Sequence, residues 1–167
     1  RHGFLHDPRG HAAMIAPILC AVDFSADSRA ALEWACDEAE SRGAPLLVLH
    51  VIHDPAASPG FYHQLEEDWI RPMAEAAEQM LAEFLATCRA ARPDCAVLQT
   101  AQTRLVPGLP PGRIVEVAEA AGALLIVIGS RGRTGLAHIL LGSVAERVVQ
   151  TASMPVVVVK AKPAGGP

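Results

Sequence analysis

Several things are scarce in this chain of 167 residues, and each scarcity narrows its function. Lysine occurs only at Lys160 and Lys162, and the net charge is −4, so nothing suggests a nucleic-acid or membrane-surface partner. The excess of arginine over lysine, with abundant alanine, reads as genome composition. Cys20, Cys36, Cys88 and Cys95 form no C-x-x-C pair, and each lies in or beside an apolar segment. Buried free thiols in a reducing compartment are therefore expected, not a disulfide framework. His50 and His53 are three apart with no third residue at metal-ligand spacing, which favours ordinary packing or exposure over a metal site. No apolar run approaches the ~20 residues of a membrane helix. Residues 12–22 mimic a signal-peptide core, but Pro17 and Asp23 bracket a strand-like segment and no small-residue cleavage site follows. Leu19 before Cys20 also argues against lipoprotein processing. A cytoplasmic protein is expected.

What is present is a folded chain, 51% hydrophobic, with no internal repeat. Met14 looks like a natural start, so residues 1–13 are expected to be an added or disordered extension. Residues 14–162 then form one domain, and 163–167 a flexible tail. Apolar runs at Ile18–Val22, Leu46–Ile52, Leu124–Ile128 and Pro155–Val159 predict strands, with a weaker one at Cys95–Thr100. They lack polar alternation, which implies burial on both faces of a parallel sheet.

Helical patterns separate the runs. Ser25 can cap a helix whose inner face is Leu32, Ala35, Cys36 and Ala39, with Gly43 after its end. After a polar loop with Pro55, Pro59 and Gly60, a 3.6-residue stripe runs through Ile70, Met73, Ala74, Ala77, Met80, Leu81, Phe84, Leu85 and Cys88. Pro107–Gly112 reads as a turn, Ile114–Ala121 as a short helix and Ser143–Thr151 as another. Strand–helix alternation at this spacing gives the fold class, a doubly wound α/β domain.

Such folds hold ligands beyond the carboxyl ends of their strands, where strand order reverses. The loops after the first and fourth strands are therefore the candidate site. The first offers Asp23; the second is the stretch GSRGRTGLAHILLGS from Gly129 to Ser143. Its glycines let backbone N–H groups approach an anion, aided by the positive end of the following helix. Ser143 and Glu146 also have the S-x-x-E form of a capping box, a structural reason for that serine. Neither G-x-x-x-x-G-K-[ST] nor G-x-G-x-x-G after the first strand occurs.

The spacing G-x-x-G-x₉-G-S, formed by Gly129, Gly132 and Gly142-Ser143, resembles that of the universal stress protein family in its ATP-binding branch. The likeness covers about residues 15–162 and includes AVDFS at 21–25, LHVI at 49–52, GLPPGRI at 108–114 and MPVVVVK at 154–160. It implies a five-stranded parallel sheet in order 3-2-1-4-5, with ATP, accompanied by Mg²⁺, across the ends of strands one and four. On that likeness Asp23 is the acidic residue near the nucleoside, and the backbone of Val51 reads adenine. Gly129 and Gly132 are the first phosphate-loop glycines, with Arg131 between them. Gly142, Ser143 and Val144 form the phosphate-binding turn. Ala21 departs from the proline that some ATP-binding members carry, a position that shapes the turn. The likeness further implies a homodimer through strand 155–160.

Arg131 or Arg133 could serve as a phosphate clamp, but no loop carboxylate is evidently placed to hold magnesium, so little or no turnover is expected. The function expected is nucleotide-dependent regulation in stress response. A slow ATPase switch and a dimeric scaffold without nucleotide are the alternatives.

Overall fold

The computed structural model describes residues 15–54, 67–132 and 140–162. The chain runs β1 (Ile18–Ala21), α1 (Ala26–Arg42), β2 (Leu46–His53), α2 (Glu67–Ala91), α3 (Ala96–Gln99), β3 (Gln102–Gly108), α4 (Pro110–Ala120), β4 (Leu125–Gly129), α5 (Ser143–Thr151) and β5 (Val156–Val159). All strand pairs are parallel, and the sheet order is β3-β2-β1-β4-β5, the expected topology. β1 lies at the centre, with Cys20 level with Val48 of β2 on one side and Val127 of β4 on the other.

Side chains alternate across each strand, so one sheet builds two cores. Ile18, Cys20, Val48 and Val127 pack under α1, α2 and α3; Leu19, Ala21, Leu49, Ile126 and Ile128 pack under α4 and α5. Burial of both faces explains the unbroken apolar runs. α1 starts as its sequence indicates: the Ser25 hydroxyl oxygen accepts the Ser28 amide at 3.1 Å. It ends at Gly43, in the left-handed region at φ 62°. Its expected inner face, Leu32, Ala35, Cys36 and Ala39, is buried. In α2, Ala77, Leu81, Phe84, Leu85 and Cys88 are buried, but Met73 and Met80 are 46% and 37% exposed. The apolar stripe therefore outruns the core towards the N-terminal turns of α2. All four cysteines are buried and free, and burial pushes the thiols of Cys20, Cys36 and Cys88 above the ordinary range.

Two sequence expectations are corrected. Cys95–Thr100 is not the third strand; most of it is the short helix α3, which buries Leu98 against the first core. The third strand is Gln102–Gly108, at a sheet edge. Its Gln102, Thr103 and Arg104 are exposed, so it lacks the apolar run that marks a central strand, and Pro107 sits where an edge tolerates it. Consequently Pro107–Gly112 is not a turn. Its first two residues end β3, and Pro110 already opens α4, a position where the missing N–H costs nothing.

The expected extension 1–13, the polar loop around Pro59 and Gly60, the Ile70 side chain, Arg133 and the tail 163–167 lie outside the described residues. No described helix is long and apolar enough to cross a membrane. Among the described residues no group of three or more His, Cys, Asp or Glu side chains is placed to hold a metal ion.

Candidate functional site

The chain winds outward from β1 to β2 and β3, then returns past β1 to β4. That reversal leaves a crevice beyond the carboxyl ends of β1 and β4. A cavity of about 960 Å³ opens there, and all nine residues singled out from the sequence line it: Ala21, Asp23, Val51, Gly129, Arg131, Gly132, Gly142, Ser143 and Val144. Leu49, Ile114 and Ile128 add apolar wall, while Met73, Pro110 and Glu146 complete it from the surrounding helices.

The β1 side of the cavity is a strained turn. Past β1 the Val22 amide still donates to the Leu49 carbonyl at 2.8 Å, and the chain then turns at Phe24 with φ 69°. A bulky residue in this left-handed conformation costs on the order of 1–3 kcal/mol and persists only where its surroundings enforce it. Here the Phe24 ring lies 4.4 Å from the His50 ring and 5.6 Å, edge-on, from Phe84. His50 Nδ1 stands 2.8 Å from the Val22 carbonyl oxygen, tying the turn to β2. The result presents Asp23 to the cavity, where its Oδ1 accepts the Ser25 amide at 3.1 Å.

On the β4 side, two glycines lie at close approaches of different kinds. A Cβ on Gly129 would stand 2.8 Å from the Asp27 carbonyl carbon and 2.9 Å from the Ser28 nitrogen. The end of β4 is thus pressed against the first turn of α1. A Cβ on Gly132 would stand 2.9 Å from Asp23 Oδ2, the movable end of a side chain, which shows how near the two loops come. The Gly142 amide donates to the Ser130 carbonyl at 2.6 Å, and the Gly142 carbonyl accepts the Glu146 amide at 2.9 Å.

Gly142 is therefore the N-cap of α5, and Ser143 is already inside the helix. The capping-box expectation for Ser143 and Glu146 is corrected: Gly142, which has no side chain, takes the cap position one residue before Ser143. The N-terminus of α5 lies on the cavity and its cap residue Gly142 offers no side chain, so the helix's positive end favours an anion there, with Glu146 in the same first turn.

Two residues that sequence reasoning passed over hold the loop. Asp27 is 5% exposed and Ser130 4%. Asp27 Oδ2 accepts the Ser130 hydroxyl at 2.8 Å and the Arg131 amide at 3.1 Å, with Arg131 Nε at 3.4 Å; Oδ1 accepts the Ala161 amide at 3.0 Å. Burial alone would raise this carboxyl, but the donors from Ser130, Ala161 and Arg131 outweigh it and hold it below the ordinary aspartate range. In the sequence Asp27 looks like any first-turn acid favoured by a helix dipole, and nothing local marks it for burial.

A doubly wound α/β sheet with a cavity at its switch point defines the class: an α/β domain of the kind that holds its ligands beyond the carboxyl ends of its strands. The model of the universal stress protein family matches residues 14–160, and the chain belongs to that family. Universal stress protein Rv2623 of Mycobacterium tuberculosis is 40% identical over 148 residues, which is 87% of this chain and 45% of that protein. The chain thus spans about half the length of the curated relatives it matches. Among solved structures, universal stress protein UspA from Lactobacillus plantarum is similar at a TM-score of 0.67 and 27% identity, covering 88% of this chain and 99% of that one. A universal stress protein from Archaeoglobus fulgidus in complex with dAMP is similar at a TM-score of 0.56 and 29% identity, covering 88% of this chain and 99% of the other.

Proposed function

We propose that the chain is an ATP-binding universal stress protein module that signals through nucleotide occupancy in stress response, with little turnover. The observation that carries this is the convergence of Gly129, Gly132, Gly142 and the uncapped α5 N-terminus on one cavity with an apolar end. The apolar wall suits a purine, and the glycine loop with the helix terminus suits phosphates. The dAMP complex of the Archaeoglobus relative supports an adenine nucleotide. Mg²⁺ would accompany the phosphates, with Asp23 and Glu146 as the carboxylates on the cavity wall.

Among the described wall residues Arg131 is the one Lys or Arg, and its Nε already faces Asp27. A site with so little positive charge to spare binds phosphates better than it accelerates their transfer. The module acts as a homodimer in the cytoplasm. Edge strand β5 leaves Val158 36% exposed, and pairing with a second copy would satisfy both edges.

Thermal melting with Mg-ATP tests the reading. Saturation at 100 times Kd adds about 2.7 kcal/mol, a rise of about 5–10 °C for a domain of this size. Hydrolysis should stay orders of magnitude below the roughly 10 s⁻¹ of a median enzyme. A melting curve that ATP does not move refutes the nucleotide reading; turnover at that median rate refutes the occupancy reading.

A further inference from the structure

Four donors from two parts of the chain converge on the Asp27 carboxylate: the Ser130 hydroxyl, the Arg131 amide, Arg131 Nε and the Ala161 amide. Ser130 and Arg131 belong to the loop after β4 that lines the cavity. Ala161 follows the end of edge strand β5. Asp27 itself sits in the first turn of α1, whose cap residue Ser25 places its hydroxyl 3.4 Å from the Arg131 carbonyl. Ser130 adds two backbone links, its amide donating to the Val159 carbonyl at 2.7 Å and its carbonyl accepting the Gly142 amide. One buried anion is therefore shared by the phosphate side of the cavity and the exit of the edge strand.

The chemistry of this node is selective. An ionised carboxylate only accepts, so it can serve all four donors; an amide of the same shape would turn two of its own donors towards them. Burial makes the balance sensitive, since a buried polar group without a partner costs more than its hydrogen bond is worth. A polyphosphate against Arg131 and the Gly142 turn would draw on the same guanidinium that now faces Asp27. Any share of Arg131 given to phosphate leaves more of the Asp27 charge to Ser130 and Ala161, and those bonds tighten.

We infer that Asp27 is a positioning residue that couples phosphate occupancy of the cavity to the end of β5, so that binding a polyphosphate firms the segment following the strand by which a second copy would pair. The coupling rests on the nucleotide reading above and adds a direction of control to it. Reciprocity follows: a change that loosens the Ala161 contact must weaken polyphosphate binding by the same factor that binding tightens it.

Amide hydrogen exchange on the full chain, followed residue by residue by NMR, tests this with ATP, adenosine and buffer alone. ATP is expected to slow exchange of the Ala161 amide by about fivefold or more, the lower end of measured couplings, whereas adenosine leaves it unchanged. Asp27→Asn is expected to bind ATP more weakly, to bind adenosine as before and to lose the response at Ala161. A purely structural role would move both ligands alike.

Should that variant fail to fold, Ala161→Pro removes the donor from the far end without touching the cavity. It should cost ATP affinity severalfold and spare adenosine. Amide shifts at Gly142 and Ser143 on adding ATP, with Ala161 exchange unaltered, overturn the coupling and leave the nucleotide reading standing. No shift at Gly142 or Ser143 overturns both. An Ala161→Pro protein with undiminished ATP affinity also refutes the coupling.

Discussion

Two glycines in one loop should respond to the same substitution in opposite ways, because their missing Cβ atoms would meet different partners. In Gly129→Ala the new methyl would lie 2.8 and 2.9 Å from backbone atoms of Asp27 and Ser28. Ordinary contacts of this kind lie beyond about 3.4 Å, so something must move by about half an ångström. Those backbone atoms belong to the first turn of α1, which Ser25 caps, and shifting them also disturbs the Asp27 node. Overpacking of this sort costs about 1–3 kcal/mol, and the upper half is expected because both contacts are backbone, so the melting temperature should fall by about 4–12 °C. In Gly132→Ala the methyl meets only Asp23 Oδ2, the end of one side chain.

Asp23 can rotate away at the cost of its bond to the Ser25 amide, about 1 kcal/mol, so the melting temperature should fall by no more than about 4 °C. Displacing Asp23 alters the cavity itself, so Gly132→Ala should lose most of its ATP-induced stabilisation. Gly129→Ala, measured well below its midpoint, should keep a substantial part. Calorimetry with and without Mg-ATP reads both quantities. Equal destabilisation by the two variants, or a Gly129→Ala protein that melts within a degree of wild type, would refute the close packing of β4 on α1.

The remaining expectations concern pH, assembly and thiols. The folded-state carboxyl of Asp27 is depressed, so its contribution to stability is complete above the unfolded value of about 3.9 and is lost as pH falls through the folded value. The stability gap between wild type and Asp27→Asn in urea titrations should therefore be constant near neutrality and shrink below about pH 4; a gap that widens there contradicts the sign. Val158→Pro removes an edge N–H and constrains β5, so light scattering should show monomer where wild type is dimeric, with ATP still bound and its affinity lowered severalfold at most through the Ala161 contact. Wild type that is monomeric at micromolar concentration would refute the β5 interface. The four buried thiols should react with an aromatic disulfide reagent slowly in the native protein and fast in denaturant; rapid native labelling of Cys20 would contradict its burial in the first core.

How much of this was legible depended on whether the physical signal is local. Apolar runs marked β1, β2 and β4, since burial between two helical layers leaves no polar face, and four successive valines marked the edge strand β5. The start and end of α1 followed from Ser25 and Gly43, whose capping roles rest on their own torsions and neighbours. The spacing of Gly129, Gly132, Gly142 and Ser143 pointed to the cavity that these residues line. Together, composition, periodicity and turn chemistry determined the fold class, four of the five strands and the end of the sheet where the cavity opens.

Only the tertiary structure decided the rest. β3 is an edge strand whose first residues are solvated and which carries no apolar run, so it fell at Gln102–Gly108 while the more hydrophobic Cys95–Thr100 became mostly a turn of helix over the core. The cap of α5 fell on Gly142 because its amide is claimed by Ser130, twelve positions earlier, and no local pattern encodes that bond. Asp27 meets Ser130 and Ala161 across separations of 103 and 134 residues. Such a node exists only after the parallel crossovers have placed α1, the end of β4 and the end of β5 side by side, and hydrogen bonds of that range leave no periodic trace in the sequence.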